Sequence, residues 1–360
     1  MTTLAAIDIG SNGARLLIKR FDPEAPREED RIKKIMFIRI PLRLGKDVFT
    51  LGKVSKEREK MMLHMMKGFK QFMKLNDVDA FRACATSAMR DAENGKKLLK
   101  KIEKQTGIKL EIIKGQEEAQ LLYNNLVEKT DSNEGNFAYI DVGGGSTEVS
   151  IIHDGTLAES FSYNMGTLRM LSGKVTADTE KLFKENLCRY AKEYGNIRII
   201  GSGGNINKLN KLARHNKTNG KELSLSELNR LYQMMQPLSI EEREISFSLK
   251  EDRADVIIPA AEIFIRACEY LECDTIMVPN ISLADSIVDG LYGTLLHRVS
   301  SSCSSSSVWK DAAEKAARNA SVHSVSNFVP RPPRRTATAR SQASAAWDLP
   351  RQATSSRSQR

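Results

Sequence analysis

Apolar residues enter this chain in short runs, and their spacing switches between strand-like and helical along its length. Leu4-Ala5-Ala6-Ile7-Asp8-Ile9 stops at Gly10-Ser11-Asn12-Gly13 and resumes as Ala14-Arg15-Leu16-Leu17-Ile18, which predicts a strand, a tight turn and a second strand. Another strand is expected near Ile35 to Ile40. From Ser55 to Asn76, Met61, Met62, Met65, Met66, Phe69, Phe72 and Met73 recur at helical spacing, so this segment is read as a helix whose methionine stripe fills gaps in a core. Strands near Asp79 to Ala83 and Lys109 to Ile113 alternate with helices over 87–106 and 116–128. The run Phe137 to Val142 ends in Gly143-Gly144-Gly145-Ser146, and Thr147 to His153 resumes a β-branched pattern. Helices follow near 178–194, 205–214, 224–235, 251–272 and 283–296, with apolar strands at 197–200 and 275–278. Such alternation predicts an α/β body with mixed sheets covered by helices.

The end of the chain is different. Seven of the eight residues from Ser300 to Ser307 are serine, and Pro330-Arg331-Pro332-Pro333-Arg334-Arg335 opens a stretch rich in Ser, Ala, Thr and Arg. Residues 298–360 are therefore expected to be a disordered basic tail, with room for one short helix at 308–320. This tail also resolves the net charge of +10: it holds eleven Lys/Arg against three Asp/Glu, or +8, which leaves +2 for residues 1–297. A body so nearly balanced argues against binding nucleic acid across its surface. No run reaches the roughly 18 apolar residues of a membrane span, and the N-terminus enters a strand without a secretory pattern. Five cysteines, an odd number without a Cys-x-x-Cys pair, fit a reduced cytoplasmic protein.

The two glycine-containing turns are the chemically informative feature. Ile7-Asp8-Ile9-Gly10-Ser11-Asn12-Gly13-Ala14-Arg15 laid over Ile140-Asp141-Val142-Gly143-Gly144-Gly145-Ser146-Thr147-Glu148 shows one pattern used twice, an internal duplication. In each copy an Asp closes a buried strand, and small residues leave backbone N–H groups free to cup phosphate oxygens. The Asp can hold a divalent cation or the water it carries. A third loop, Gly201-Ser202-Gly203-Gly204-Asn205, opens a helix, where the N-terminal amides and dipole favour an anion. None of the three has the Gly-Lys-Ser/Thr of a P-loop or the spacing Gly-x-Gly-x-x-Gly, so both common nucleotide motifs are excluded.

Together with Ala85-Thr86-Ser87-Ala88-Met89-Arg90-Asp91-Ala92, Ile113-Lys114-Gly115-Gln116-Glu117-Glu118-Ala119 and Met165-Gly166-Thr167-Leu168-Arg169, these segments resemble the exopolyphosphatase and guanosine pentaphosphate phosphohydrolase (Ppx/GppA) family. The resemblance spans residues 4–297. It implies two ribonuclease-H-like domains of the actin, Hsp70 and sugar-kinase superfold, here 1–127 and 128–297, with an active site in the cleft between them. It assigns Glu118 as general base, with Glu117 as the rival, since neighbours on a helix cannot both face one site. It gives Asp141, Glu148 and Asp8 to Mg²⁺, and gives phosphate binding to Arg90 and the three loops: Gly10, Ser11, Asn12, Gly143, Gly144, Gly145, Ser146, Gly203 and Gly204. Ser202 and Asn205 stand where many relatives have threonine. The chain has no room for the C-terminal HD-type domain of larger relatives, and His215, His297 and His323 lack metal-ligand company. The implied activity is Mg²⁺-dependent release of terminal phosphate from inorganic polyphosphate, with short chains preferred. The alternatives are guanosine pentaphosphate as substrate and a non-catalytic phosphate or alarmone sensor. A homodimer is also implied.

Overall fold

A computed structural model describes residues 1–129, 135–213 and 221–302. Strands β1 (Thr2–Ile9) and β2 (Ala14–Phe21) pair antiparallel, with Ile9 opposite Ala14 and Asp8 opposite Arg15. β3 (Ile32–Ile40) joins β2 antiparallel, while β4 (Ala80–Ala85) and β5 (Glu111–Ile112) extend the other edge in parallel, giving the order β3-β2-β1-β4-β5. The second sheet contains β6 (Asn136–Val142), β7 (Thr147–His153), β8 (Thr156–Tyr163), β9 (Arg198–Ser202), β10 (Glu222–Ser224) and β11 (Thr275–Met277), in the order β10-β11-β9-β6-β7-β8. Without β10 it repeats the first sheet: three antiparallel strands, then two parallel ones. The fold is α/β with two ribonuclease-H-like sheets, so the duplicated hairpin is the visible trace of a duplicated domain.

The helices are α1 (Leu44–Leu51), α2 (Lys56–Leu75), α3 (Ser87–Asp91), α4 (Gly95–Thr106), α5 (Gly115–Lys129), α6 (Thr167–Leu171), α7 (Ala177–Tyr194), α8 (Gly204–Ala213), α9 (Leu225–Met235), α10 (Ile240–Phe247), α11 (Glu251–Ala254), α12 (Ile257–Tyr270) and α13 (Leu283–Ser302). Strand alternation explains how they are layered. On β1, Ala5, Ile7 and Ile9 face a core with Met62, Met66 and Phe69 of α2, while Leu4 and Ala6 face a second core with α5 and α13. On β6, Ala138, Ile140 and Val142 face the helices of the second half, while Phe137 and Tyr139 join that same second core. Both sheets thus bury one face in a shared layer, and the cleft opens at the strand ends above it. Met62, Met66 and Phe69 are at most 1% exposed, each worth about 1.5–3 kcal/mol relative to exposure.

Two expected helices are interrupted. The segment 87–106 breaks after α3 because Asn94 turns its amide to the backbone of Val54, accepting from its N–H at 3.0 Å and donating to its carbonyl at 2.8 Å. The segment 251–272 breaks at Asp255 and Val256, before Pro259 in the first turn of α12, where a missing N–H costs little. The hydrophobic pattern gave no sign of α1, β8, α6 or α10. The tail beyond 302, including the helix expected at 308–320, lies outside the described residues. No helix among the described residues is long and apolar enough to cross a membrane.

Candidate active site

Each hairpin turn closes in the same way: Gly10 N–H donates to Gly13 O at 3.1 Å, and Gly143 N–H to Ser146 O at 3.0 Å. Each turn is also held from behind by a short helix. Arg43 N–H, just ahead of α1, donates to Asn12 O (2.9 Å) and Gly45 N–H to Ser11 O (2.8 Å). Thr167 N–H donates to Gly143 O (3.0 Å), and Leu168 and Arg169 N–H to Gly144 O (2.8 and 3.1 Å). With these carbonyls tied back, turn amides are left for a ligand, and oriented amides of this kind suit an anion. Arg169 completes the second turn by donating Nε to Gly145 O at 2.7 Å, pairing with Asp91 and lying over the Phe49 ring.

The turns face one another across a cleft of about 410 Å³ lined by Gly10, Ser11, Asn12, Gly143, Gly144 and Ser146. Ser11 Oγ meets Ser87 Oγ at 2.8 Å and accepts from Ala88 N–H at 3.2 Å. Gly145 does not line this cleft; it is wedged against Ser11, Ser87 and Phe49. The third loop enters from below with Gly203 at φ +107°, a backbone that side chains rarely adopt. A Cβ there would stand 3.0 Å from Val142 O and 3.2 Å from Asp141 Oδ1. Gly204 then starts α8, and its carbonyl accepts from Arg253 Nη1 at 2.8 Å.

At the floor of the cleft, carboxylate oxygens of Glu118, Asp141 and Glu148 lie within 4.8 Å of one another. The hairpin register sets Asp141 opposite Glu148, and α5 begins close enough to Ser162 and Glu148 to bring its first turn, which carries Glu118, over them. Glu118 turns into the cleft, while Glu117 turns outward to Arg82 (2.7 Å). Burial pushes the Glu118 carboxyl well above its ordinary range, and the charges of Glu148, Asp141 and Asp8 add to this against the pull of Arg90. Burial and Asp141 likewise push Glu148 up to about 7, despite hydrogen bonds from Ser146 and Ser162. Asp141 is raised by burial, with Ser202 and Arg15 opposing.

Asp8 sits apart from the trio. It forms an ion pair with Arg15, its cross-strand partner. Arg15 occupies the place in the first hairpin that Glu148 occupies in the second, so one copy of the duplication neutralises its Asp and the other accumulates charge. With all four ionised, Asp8, Glu118, Asp141 and Glu148 would carry two more charges than the guanidinium groups of Arg15 and Arg90 neutralise. Glu118 Oε2 is buried without a hydrogen-bond partner. Carboxylate oxygens gathered inside such a surplus suit a divalent cation, which would hold them ionised, and the oxygen-only donor set suits a hard one. Arg90 lies off the cleft wall, donating Nη1 to Ile113 O at 3.2 Å, with its charge felt at Glu118 and Glu148. Arg15 was not foreseen, although it already aligned with Glu148 in the repeat. Nor were the two backing helices, which are too short to show periodicity.

A model of the Ppx/GppA phosphatase family matches residues 27–294, and the chain belongs to this family. Among curated proteins it is 27% identical over 307 residues to guanosine-5'-triphosphate,3'-diphosphate pyrophosphatase of Aliivibrio fischeri, covering 81% of this chain and 60% of that protein. It is 29% identical over 150 residues to exopolyphosphatase 1 of Mycobacterium tuberculosis, covering 41% of each. The chain therefore spans three fifths or less of the length of these curated relatives. Among solved structures it resembles an exopolyphosphatase from Cytophaga hutchinsonii, with a TM-score of 0.70, 23% identity, and coverage of 82% of this chain and 98% of that one; this likeness concerns the fold.

Proposed function

We propose that the protein is a Mg²⁺-dependent exopolyphosphatase that releases terminal phosphate from inorganic polyphosphate by attack of water activated by Glu118. The observation that carries this reading is the orphaned, buried Glu118 Oε2 beside Asp141 and Glu148, between two turns with tied-back carbonyls. A Mg²⁺ ion held by Asp141 and Glu148 would neutralise the carboxylates and withdraw charge from the terminal phosphate oxygens. The chain's own groups do the rest. Glu118 Oε2 takes a proton from water as the water oxygen bonds to the terminal phosphorus, and the bond to the bridging oxygen breaks, leaving that oxygen on the shortened chain. Turn amides and Arg15 hold the equatorial oxygens.

A second cavity of about 700 Å³ shares Asn207, Arg253 and Asn280 with the cleft and adds Lys208 and Lys211, with no carboxylate among the described residues that line it. It supports a phosphate chain continuing beyond the cleft. One observation favours guanosine pentaphosphate as an alternative substrate: the Phe37 ring, half-exposed on the cleft wall, offers a face to a base. Orthophosphate release from tripolyphosphate, long-chain polyphosphate and guanosine pentaphosphate, with Mg²⁺ and with chelator, decides between the two. Faster turnover of the nucleotide selects the alternative, and no release from any substrate removes both.

The carboxylate trio also makes a prediction for stability. Glu148 is pushed up from 4.5 to about 7, and Glu118 and Asp141 are raised as well. The folded, cation-free protein therefore holds protons that the unfolded chain has released, so unfolding becomes easier as pH rises from about 4.5 through about 7. Thermal melts of chelator-treated protein between pH 5 and 8 should show the melting temperature falling with pH, and Mg²⁺ should restore most at pH 8. A melting temperature that rises over this range would count against the buried trio.

A further inference from the structure

The far side of the cleft is closed by α11 and the residue after it. Asp252 pairs through its carboxylate with Arg39 Nη2 at 2.5 Å, and its carbonyl accepts from Asn12 Nδ2 at 3.1 Å. Asp255 takes both terminal nitrogens of Arg43, Nη1 at 3.3 Å and Nη2 closer. Arg253, between them, points back to Gly204 O. One short segment of the second half thus touches both the first phosphate turn and the third.

Arg43 is the unusual partner. Its φ is +51°, in the left-handed region that a residue with a long side chain holds only when its surroundings enforce it. Its amide holds Asn12 O, and that of Gly45 holds Ser11 O. Behind it, Arg58 Nη1 donates to Leu42 O at 2.6 Å while Arg58 Nε pairs with Asp47 at 2.9 Å, so the segment is fixed on one side by its own half. On the other side it is fixed by Asp255.

We propose that Arg43 and Asp255 form a positioning pair that couples closure of the two halves to the shape of the first phosphate turn. With the pair formed, the Arg43 backbone keeps its left-handed conformation, and the Asn12 and Ser11 carbonyls stay turned away from the ligand. With the pair parted, the backbone relaxes and the turn loses its template. The second turn provides an internal control, because its carbonyls are held by the Thr167, Leu168 and Arg169 amides and not by the segment that Asp255 grips. The proposal rests on the phosphate-cleft reading, but its main test needs no substrate.

That test is amide hydrogen exchange on the full chain, comparing Asp255→Asn with the unaltered protein. Exchange at Arg43 and Gly45 should quicken about tenfold, as loss of a charged hydrogen-bonded pair allows, while Thr167 and Leu168 stay unchanged. Arg43→Lys, which keeps the charge and loses the two-pronged geometry, should fall between. The double variant Arg43→Asp with Asp255→Arg should recover protection, since aspartate tolerates positive φ. With tripolyphosphate and Mg²⁺, Asp255→Asn should lower kcat about tenfold with little change in KM, the mark of a lost transition-state alignment. Equal quickening at both turns, or none at Arg43 and Gly45, overturns the proposal. Failure of the unaltered protein to release orthophosphate from tripolyphosphate, long-chain polyphosphate and guanosine pentaphosphate alike would refute the phosphate-cleft reading and leave the exchange result to decide this one.

Discussion

Glu118→Gln is expected to cut turnover by about 10²–10⁴-fold, the usual worth of a positioned general base, and to make the cation-free protein more stable. Both effects have one cause. The carboxylate is buried beside Glu148 and Asp141, an arrangement that pushes its proton affinity up and that folding must tolerate. Glutamine keeps the shape and removes the charge, so the repulsion and the capacity to accept a proton disappear together, a trade of activity for stability expected at a working site. Phosphate release and thermal melts in chelator would be measured side by side. Lost activity with a lowered melting temperature would point to simple misfolding and against the role given to this side chain.

Gly166→Ala should be the second large effect, through space alone. Gly166 has an extended backbone that any residue adopts. A Cβ there would nevertheless lie 2.5 Å from the amide nitrogens of both Gly145 and Ser146 and 2.6 Å from Gly144 C. All three are backbone atoms of the second phosphate turn, so no side chain can swing aside, and the turn itself must move. Displacement on the scale of an ångström costs about 10²-fold in rate, and overpacking costs about 1–3 kcal/mol. Gly68→Ala in the middle of α2, where nothing lies within 4 Å, is the matched control; it should leave turnover intact and add up to about 1 kcal/mol of stability. A Gly166→Ala protein with normal kcat/KM would show that the second turn does not bind the reacting phosphate.

The hairpins, the sheets behind them and the choice between Glu117 and Glu118 were legible in the sequence to different degrees. Strand–turn–strand patterns show directly, because a buried strand ending in Asp-x-Gly leaves little else for the chain to do. Their repetition anticipated the duplicated fold. Helix geometry says that only one of Glu117 and Glu118 can face the cleft, and which one does depends on Arg82, which is 35 residues from Glu117 in sequence and draws it outward. The helix over 87–106 was broken by a side chain reaching 40 residues back to Val54, information no local window contains. α1 and α6 are eight and five residues long, and what matters in them is the direction of a few N–H groups, which sequence periodicity does not report. Arg15 was visible in the alignment of the repeats, but its importance lies in charge balance, which emerges only when four carboxylates are seen in one place.

Under the proposed function, water attacks the terminal phosphorus of a polyphosphate held in this cleft. The most direct measurement is hydrolysis of tripolyphosphate by the full chain with Mg²⁺ in ¹⁸O-labelled water, followed by mass analysis of both products. One ¹⁸O is expected in each orthophosphate released and none in the pyrophosphate left behind. Label in the pyrophosphate, or no orthophosphate at all, would contradict it.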